Sequence, residues 1–385
     1  METISKPMLK SSARTTRRMR IAILGTRGIP NQYGGFEQFA EKFAISMAGR
    51  GHQVFVYSSH NHPYSGSELQ QVRLIHCFDP EYRMGTAGQF IYDLNCILDS
   101  RKRGFDIILQ LGYTSSTVWS WLMPGGSLVV TNMDGLEWKR TKYGRMTRWF
   151  LRHAEKWGAR YSNYLIADSK AIKDYLWDKY QISSLFVPYG AEVFEAADSG
   201  HPVFGRLGIV PGSYDLLIAR FEPENNIALA LQAYRSNGKR KLVLVGNHEH
   251  TRFGKRCSEQ YGKCGNIIFA GPIYNSEDLQ QLRCHAALYI HGHSVGGTNP
   301  SLLEAMGCGV TICAHDNVFN RSTLCANAHY FNTAGDLEQI LADDTAADKS
   351  CWREENLKKV RECYNWETIT DKLEQSFQEW ISMSN

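Results

Sequence analysis

The chain reads as an α/β protein made of two doubly wound domains that face each other across a cleft. Three observations predict this. Its 385 residues exceed one domain of ordinary size. Short apolar runs alternate with longer helical stretches, in two successive series. Several of those runs are continuous Val/Ile/Leu rather than alternating, as suits parallel strands covered on both faces.

The first series offers strands at 21–26 (IAILGT), 54–59, 72–78, 106–112, 127–132 and 164–169. Between the first two lies a helical stretch, FEQFAEKFAISMAGRG, that stops at a glycine suited to a C-cap. FVPYGAE (186–192) closes this half, and EAADSGHPVFGRLGIVPG (195–212) reads as a linker because Gly, Pro, Asp and Ser crowd it. The second series runs through 214–220, 241–247, 266–272, 286–293 and 310–315. An amphipathic helix at 365–381 ends the chain. The division is therefore a basic tail at 1–19, a first domain at 20–190 and a second at 191–364. The final segment, 365–385, is free to pack back on the first domain.

The net charge of +4 excludes no partner by itself. Ten cysteines lie scattered without a CxxC pair, which favours reduced thiols in a cytosolic setting over a disulfide frame or a structural metal. No run of about 18 apolar residues occurs. The first 20 residues have basic residues and serines but no apolar segment, so they do not read as a secretory signal.

Ligands of open α/β sheets bind beyond the carboxyl ends of the strands, and the polar motifs here follow strands on that side. GTRGIPNQYGGFEQF (25–39) is not the G-x-G-x-x-G of dinucleotide binders. Its Gly34 and Gly35 open a helix where bare amides can approach an anion or a sugar, a plain turn being the alternative. Arg220 ends the first strand of the second domain, where a guanidinium can clamp a diphosphate; a solvent-facing arginine would look the same. Gly297, Thr298 and Asn299 form a loop before Pro300 and Ser301, and Glu304 follows one turn into the helix. The helix dipole explains an acid there in part. Its neighbours Leu302, Leu303, Ala305 and Met306 are apolar, so it calls for a specific donor such as a ligand hydroxyl.

Asp134, before a glycine at a strand end, can face the cleft or simply make a turn. Asp168-Ser169 reads as a helix N-cap. Arg145, Arg148, Arg152, Lys156 and Arg160 recur at spacings of three and four. Met146, Trp149, Phe150, Trp157 and Tyr161 flank them. This basic, aromatic-edged stripe suits an anionic membrane surface, or else a solvated helix face over buried aromatics.

Together these residues resemble the GT-B glycosyltransferases of the large retaining family 4, whose two domains are Rossmann-like. The most specific stretch is HGHSVGGTNPSLLEAMGCG (291–309), similar to the family's E-x7-E segment. The resemblance implies that Glu304 binds the donor's ribose and that Arg220 and Asn225 stand where the family has an Arg-Lys clamp. Two departures accompany it: the first glutamate of the motif falls on Gly296, and a strand-end His-Asp reads Met133-Asp134. TRGIPNQYGGFE, NMDGLEWKR and ARFEPENN are similar to rhamnosyltransferases of capsule and cell-wall assembly, which implies dTDP-L-rhamnose as donor.

The implied catalytic residues are Asp134, Arg220 and Glu304. The implied donor contacts are Gly34, Gly35, Arg220, Asn225, Gly297, Thr298, Asn299, Ser301 and Glu304. No metal or other cofactor is expected. The expected partners are the nucleotide sugar, a lipid-linked saccharide acceptor and the inner membrane face, with no nucleic acid. Transferases using a UDP- or GDP-sugar, a sugar-nucleotide 2-epimerase and a non-catalytic binder remain as alternatives.

Overall fold

The computed structural model describes residues 17–140, 143–195, 199–343 and 349–384. Residues 1–16 of the basic tail lie outside them. The first sheet has eight strands: β1 (Arg20–Leu24), β2 (Gln53–Ser59), β3 (Glu68–Leu69), β4 (Val72–Cys77), β5 (Ile107–Leu111), β6 (Leu128–Asn132), β7 (Tyr164–Ala167) and β8 (Ser184–Phe186). The second has six: β9 (Asp215–Ile218), β10 (Leu242–Val245), β11 (Ile267–Gly271), β12 (Leu288–His291), β13 (Ile312–His315) and β14 (His329–Phe331). Their orders are β3-β4-β2-β1-β5-β6-β7-β8 and β11-β10-β9-β12-β13-β14.

All pairings are parallel except β3 with β4. Every residue of β5 (IILQL) and β10 (LVLV) is buried, which is why β10 reads as an unbroken apolar run and β5 as one broken only by Gln110. The two-residue β3 and three-residue β14 are too short to leave such a pattern.

Strand order reverses between β1 and β5 in the first sheet and between β9 and β12 in the second. At such a switch point the loops diverge and open a crevice. The loops after β1, β9 and β12 carry GTRGIPNQYGG, ARFEPENN and HGHSVGGTNP. The motifs therefore gather at two crevices that face one another.

The stretch 195–212 is not a plain linker. It holds a helix, Pro202–Leu207, whose first turn begins at Pro202 and whose C-cap, Gly208, has φ of 62°. Proline inside the start and glycine past the end are helix punctuation, which a count of breakers mistakes for a loop.

The last helix, Trp366–Ser384, packs on the Gly35–Gly49 helix of the first domain. Phe377 meets Phe43 edge-on at 6.0 Å, and Trp380 stacks on Tyr164 at 4.1 Å. Arg50 pairs with Asp371 at 2.6 Å and Glu374 at 2.7 Å. Phe377 is wholly buried, which contributes roughly 2–3 kcal/mol. The chain thus crosses between domains twice. The passes are tied where the Ala191 amide donates to the Tyr364 carbonyl at 2.7 Å. Among the described residues no helix is long and apolar enough to cross a membrane.

Candidate active site

The two domains touch through backbone. A Cβ on Gly135 would stand 2.7 Å from the Gly296 Cα, and one on Gly297 would overlap both carboxylate oxygens of Asp168. Only glycine admits so close an approach. Two helix N-termini also converge, since a Cβ on Gly35 would lie 3.4 Å from Pro300 Cγ and 3.3 Å from the Tyr189 ring. The dipoles of both helices favour an anion between them, although at Pro300 the first-turn amides are already taken by Asn299.

Asp134 stands at the cleft wall with φ of 40°, an uncommon value for a residue with a side chain. Asn132 fixes it by accepting the Asp134 amide at 3.1 Å. Behind it Asp168 is buried, and neither of its carboxylate oxygens meets a partner in hydrogen-bond geometry. Burial, and then the charge of Asp134, push the Asp168 carboxyl well above the usual range. Burial also raises Asp134, against the pull of Arg140, the Gly135 amide, Asp168 and Arg220. The deeper acid of this pair holds the proton.

Asp168 does not cap the following helix. Ser169 does, its hydroxyl accepting the Ile172 amide at 3.2 Å. The cap thus falls within the Asp168-Ser169 pair, on its second member, which frees Asp168 for the cleft.

Glu304 has protein donors already. Arg283, buried on the preceding Ser276–Cys284 helix, meets it at 2.5 Å, and Gln38 of the first domain donates to it at 3.2 Å. The lone acid in an apolar helix is thus half of an ion pair. The glutamate keeps 30% of its side chain exposed, which leaves room for a further hydroxyl.

Several expected donor contacts turn inward instead. Asn225 is buried and its Nδ2 donates to the Arg220 carbonyl at 2.7 Å, so it shapes the turn that presents Arg220. Thr298 is buried and donates to the Asp168 carbonyl at 2.6 Å, a latch across the domains. Asn299 caps its helix, accepting from the Ser301 amide at 3.0 Å and the Ser301 hydroxyl at 2.9 Å. Arg220 itself is exposed.

Two features escaped the sequence reading. Arg140 reaches across the cleft: it pairs with Glu137 at 2.7 Å and stands 3.8 Å from Glu222 and 4.0 Å from Glu224. His291 and His293, at and beyond the end of β12, stack at 4.5 Å. Both ring nitrogens of His291 and the Nδ1 of His293 are buried without partners. Burial, Arg220 and Arg140 bring His293 down to about 4, with Glu222 opposing. Buried polar atoms without partners are uncommon, and their gathering beside Arg220 marks a ligand site.

On the Arg145–Tyr161 helix, Arg145, Arg152, Lys156 and Arg160 are exposed and Arg148 is half-buried. Met146, Trp149 and Tyr161 are exposed too, whereas Phe150 and Trp157 are half-buried. The Arg152 guanidinium lies 4.6 Å over the Trp138 ring.

Residues 18–192 match a family model described as "Domain of unknown function (DUF1972)", and residues 213–344 match "Glycosyl transferases group 1". No curated protein matches the chain. Among solved structures, sucrose-phosphate synthase from Thermosynechococcus elongatus superposes with a TM-score of 0.76 at 16% identity, covering 95% of this chain and 100% of that one. HepE from Anabaena, in complex with UDP and glucose, gives 0.73 at 15%, covering 94% and 100%. WaaG, a glycosyltransferase involved in lipopolysaccharide biosynthesis, gives 0.68 at 16%, covering 93% and 99%. The fold is GT-B. In this GT-B frame the group 1 match falls on the domain that carries Arg220, His293 and Glu304. The match and the frame together support glycosyl transfer from a sugar nucleotide.

Proposed function

We propose that the chain is an anomer-retaining glycosyltransferase that moves L-rhamnose from dTDP-L-rhamnose to a lipid-linked saccharide in surface polysaccharide assembly. What supports the donor site is that Arg220 lies close enough to act on Asp134 and His293, while Glu304 of the same domain is bonded to Gln38 across the cleft. Glu304 holds the ribose, and Arg220 and the positive end of the Gly35–Gly49 helix hold the diphosphate. Fixed donors around the departing diphosphate stabilise it as charge develops. In this reading no divalent metal takes part, so EDTA leaves turnover unchanged. Asp134 faces the acceptor hydroxyl from the first domain and orients it or takes its proton.

The rhamnose and the retention rest on the resemblance of TRGIPNQYGGFE, NMDGLEWKR and ARFEPENN. A second reading, a UDP-sugar donor, is favoured by the bound UDP and glucose of HepE. The exposed basic and aromatic side chains of the Arg145–Tyr161 helix support docking at the inner membrane face.

Melting-temperature shifts with dTDP-rhamnose, UDP-glucose, UDP-GlcNAc, GDP-mannose and free dTDP test the donor. Stabilisation chiefly by the dTDP pair is expected. Stabilisation by a UDP- or GDP-sugar discards rhamnose and keeps the class, and no shift with any of them counts against the cleft.

A further inference from the structure

We propose that His293 is the second cation of the diphosphate subsite, its imidazole taking a proton from solvent when a nucleotide sugar binds beside Arg220. This rests on the sugar-nucleotide reading of the cleft and goes beyond it by assigning the partner of Arg220.

The backbone here is held in place: the His293 main-chain carbonyl accepts from Asn317 Nδ2 at 3.0 Å and Asn320 Nδ2 at 3.1 Å, and the ring stacks on His291 at an interplanar angle of 15°. Nδ1 is buried and no group of the chain meets it, so the protein gives that nitrogen no acceptor. A stacked ring on a fixed backbone, with an orphan polar atom, is built to meet something from outside.

The charged groups that act on it come from three elements. Arg220 and Glu222 lie on the loop after β9, and Arg140 reaches in from the first domain. His291 is stacked beneath, with His315 of β13 behind it, and Asp316 beyond is paired with Arg321. Without ligand two guanidinium groups and one carboxylate face the ring, and with burial they hold it neutral at pH 7. A diphosphate held by Arg220 reverses the local sign. An anion within about 4–6 Å favours the charged form of a histidine, and burial strengthens that attraction. The proton comes from bulk solvent, and no bond of the substrate changes.

Calorimetric titration with UDP-glucose and dTDP-glucose tests this. Their diphosphate is a diester with no proton of its own to release near neutral pH. Repeating the titration in PIPES and in imidazole separates proton uptake from binding heat. We expect uptake of about half a proton per sugar nucleotide near pH 7 and an affinity that tightens about tenfold between pH 8 and 6. His293→Asn abolishes the uptake and the pH dependence and weakens binding about tenfold near pH 6. Sugar-nucleotide binding to the unaltered chain without proton uptake overturns the inference, whatever the variant does. Uptake that persists in folded His293→Asn assigns the proton elsewhere and also overturns it. If dTDP-rhamnose, UDP-glucose, dTDP-glucose and GDP-mannose all fail to bind, the reading of the cleft falls first and this inference with it.

Discussion

The Asp168 carboxylate of the first domain rests on the Cα of Gly297 in the second, so closely that a Cβ there would overlap both oxygens. The distance between the domains is set at this point. In Gly297→Ala the two cannot close, and the reacting groups are misplaced by about 1 Å. A displacement of that size costs roughly 100-fold in rate. Small-angle scattering should show a larger radius of gyration while circular dichroism stays unchanged. Adding Asp168→Ala should restore compactness. An unaltered radius in the single variant counts against the latch.

The Asp134–Asp168 pair makes stability depend on pH. Both carboxyls are raised above their unfolded values, so the folded chain binds their protons more tightly. The contribution is complete below about pH 4 and is lost as pH rises through the raised values. Asp168→Asn mimics the protonated acid. It should raise Tm at neutral pH, leave it unchanged near pH 4 and keep transfer within about tenfold. Asp134→Asn should cost about 100-fold or more, as for a group that handles the acceptor proton. Equal losses in the two variants would remove the distinction between them.

Glu304 is a structural residue as well as a ligand contact. Truncating it strands the buried Arg283, at a cost of about 3 kcal/mol. Glu304→Ala should lower Tm without any ligand and also weaken nucleotide binding. Arg283→Met/Glu304→Leu should recover stability but not binding. If binding returns with stability, the carboxylate has no part in recognising the ribose.

On the Arg145–Tyr161 helix, each basic side chain near an anionic surface contributes about 1 kcal/mol. Arg152→Glu/Lys156→Glu should therefore lower partition onto anionic vesicles by about 100-fold or more and spare transfer to a soluble acceptor. Trp149→Ala should weaken partition even at high salt, because its contribution is apolar. Equal binding to neutral and anionic vesicles would contradict the docking surface.

Strands buried on both faces were legible because that burial writes continuous Val, Ile and Leu, as in β10 and, but for Gln110, in β5. The helix at Pro202–Leu207 was hidden by its own punctuation. At the site, the sequence placed Arg220, Glu304 and the glycines after strands on the carboxyl side of the two sheets. It could not show that Arg283, 21 positions before Glu304, is its partner, because pairing between helices leaves no local pattern. Nor could it show that Asn225 and Thr298 face inward, since an amide or hydroxyl looks the same whether it serves a ligand or a carbonyl. Asp168 was one residue from being found: either acid or serine can cap a helix, and only the fold decides which.

The measurement that bears most directly on the central claim is nucleoside diphosphate release by the full-length chain, with and without a lipid-linked saccharide extract. The preferred donor of the melting panel is used, and Arg220→Ala runs in parallel. Release that requires the acceptor, yields an elongated saccharide and falls by about 100-fold or more in Arg220→Ala is the predicted result. Donor turnover that ignores the acceptor, or full transfer by Arg220→Ala, would contradict it.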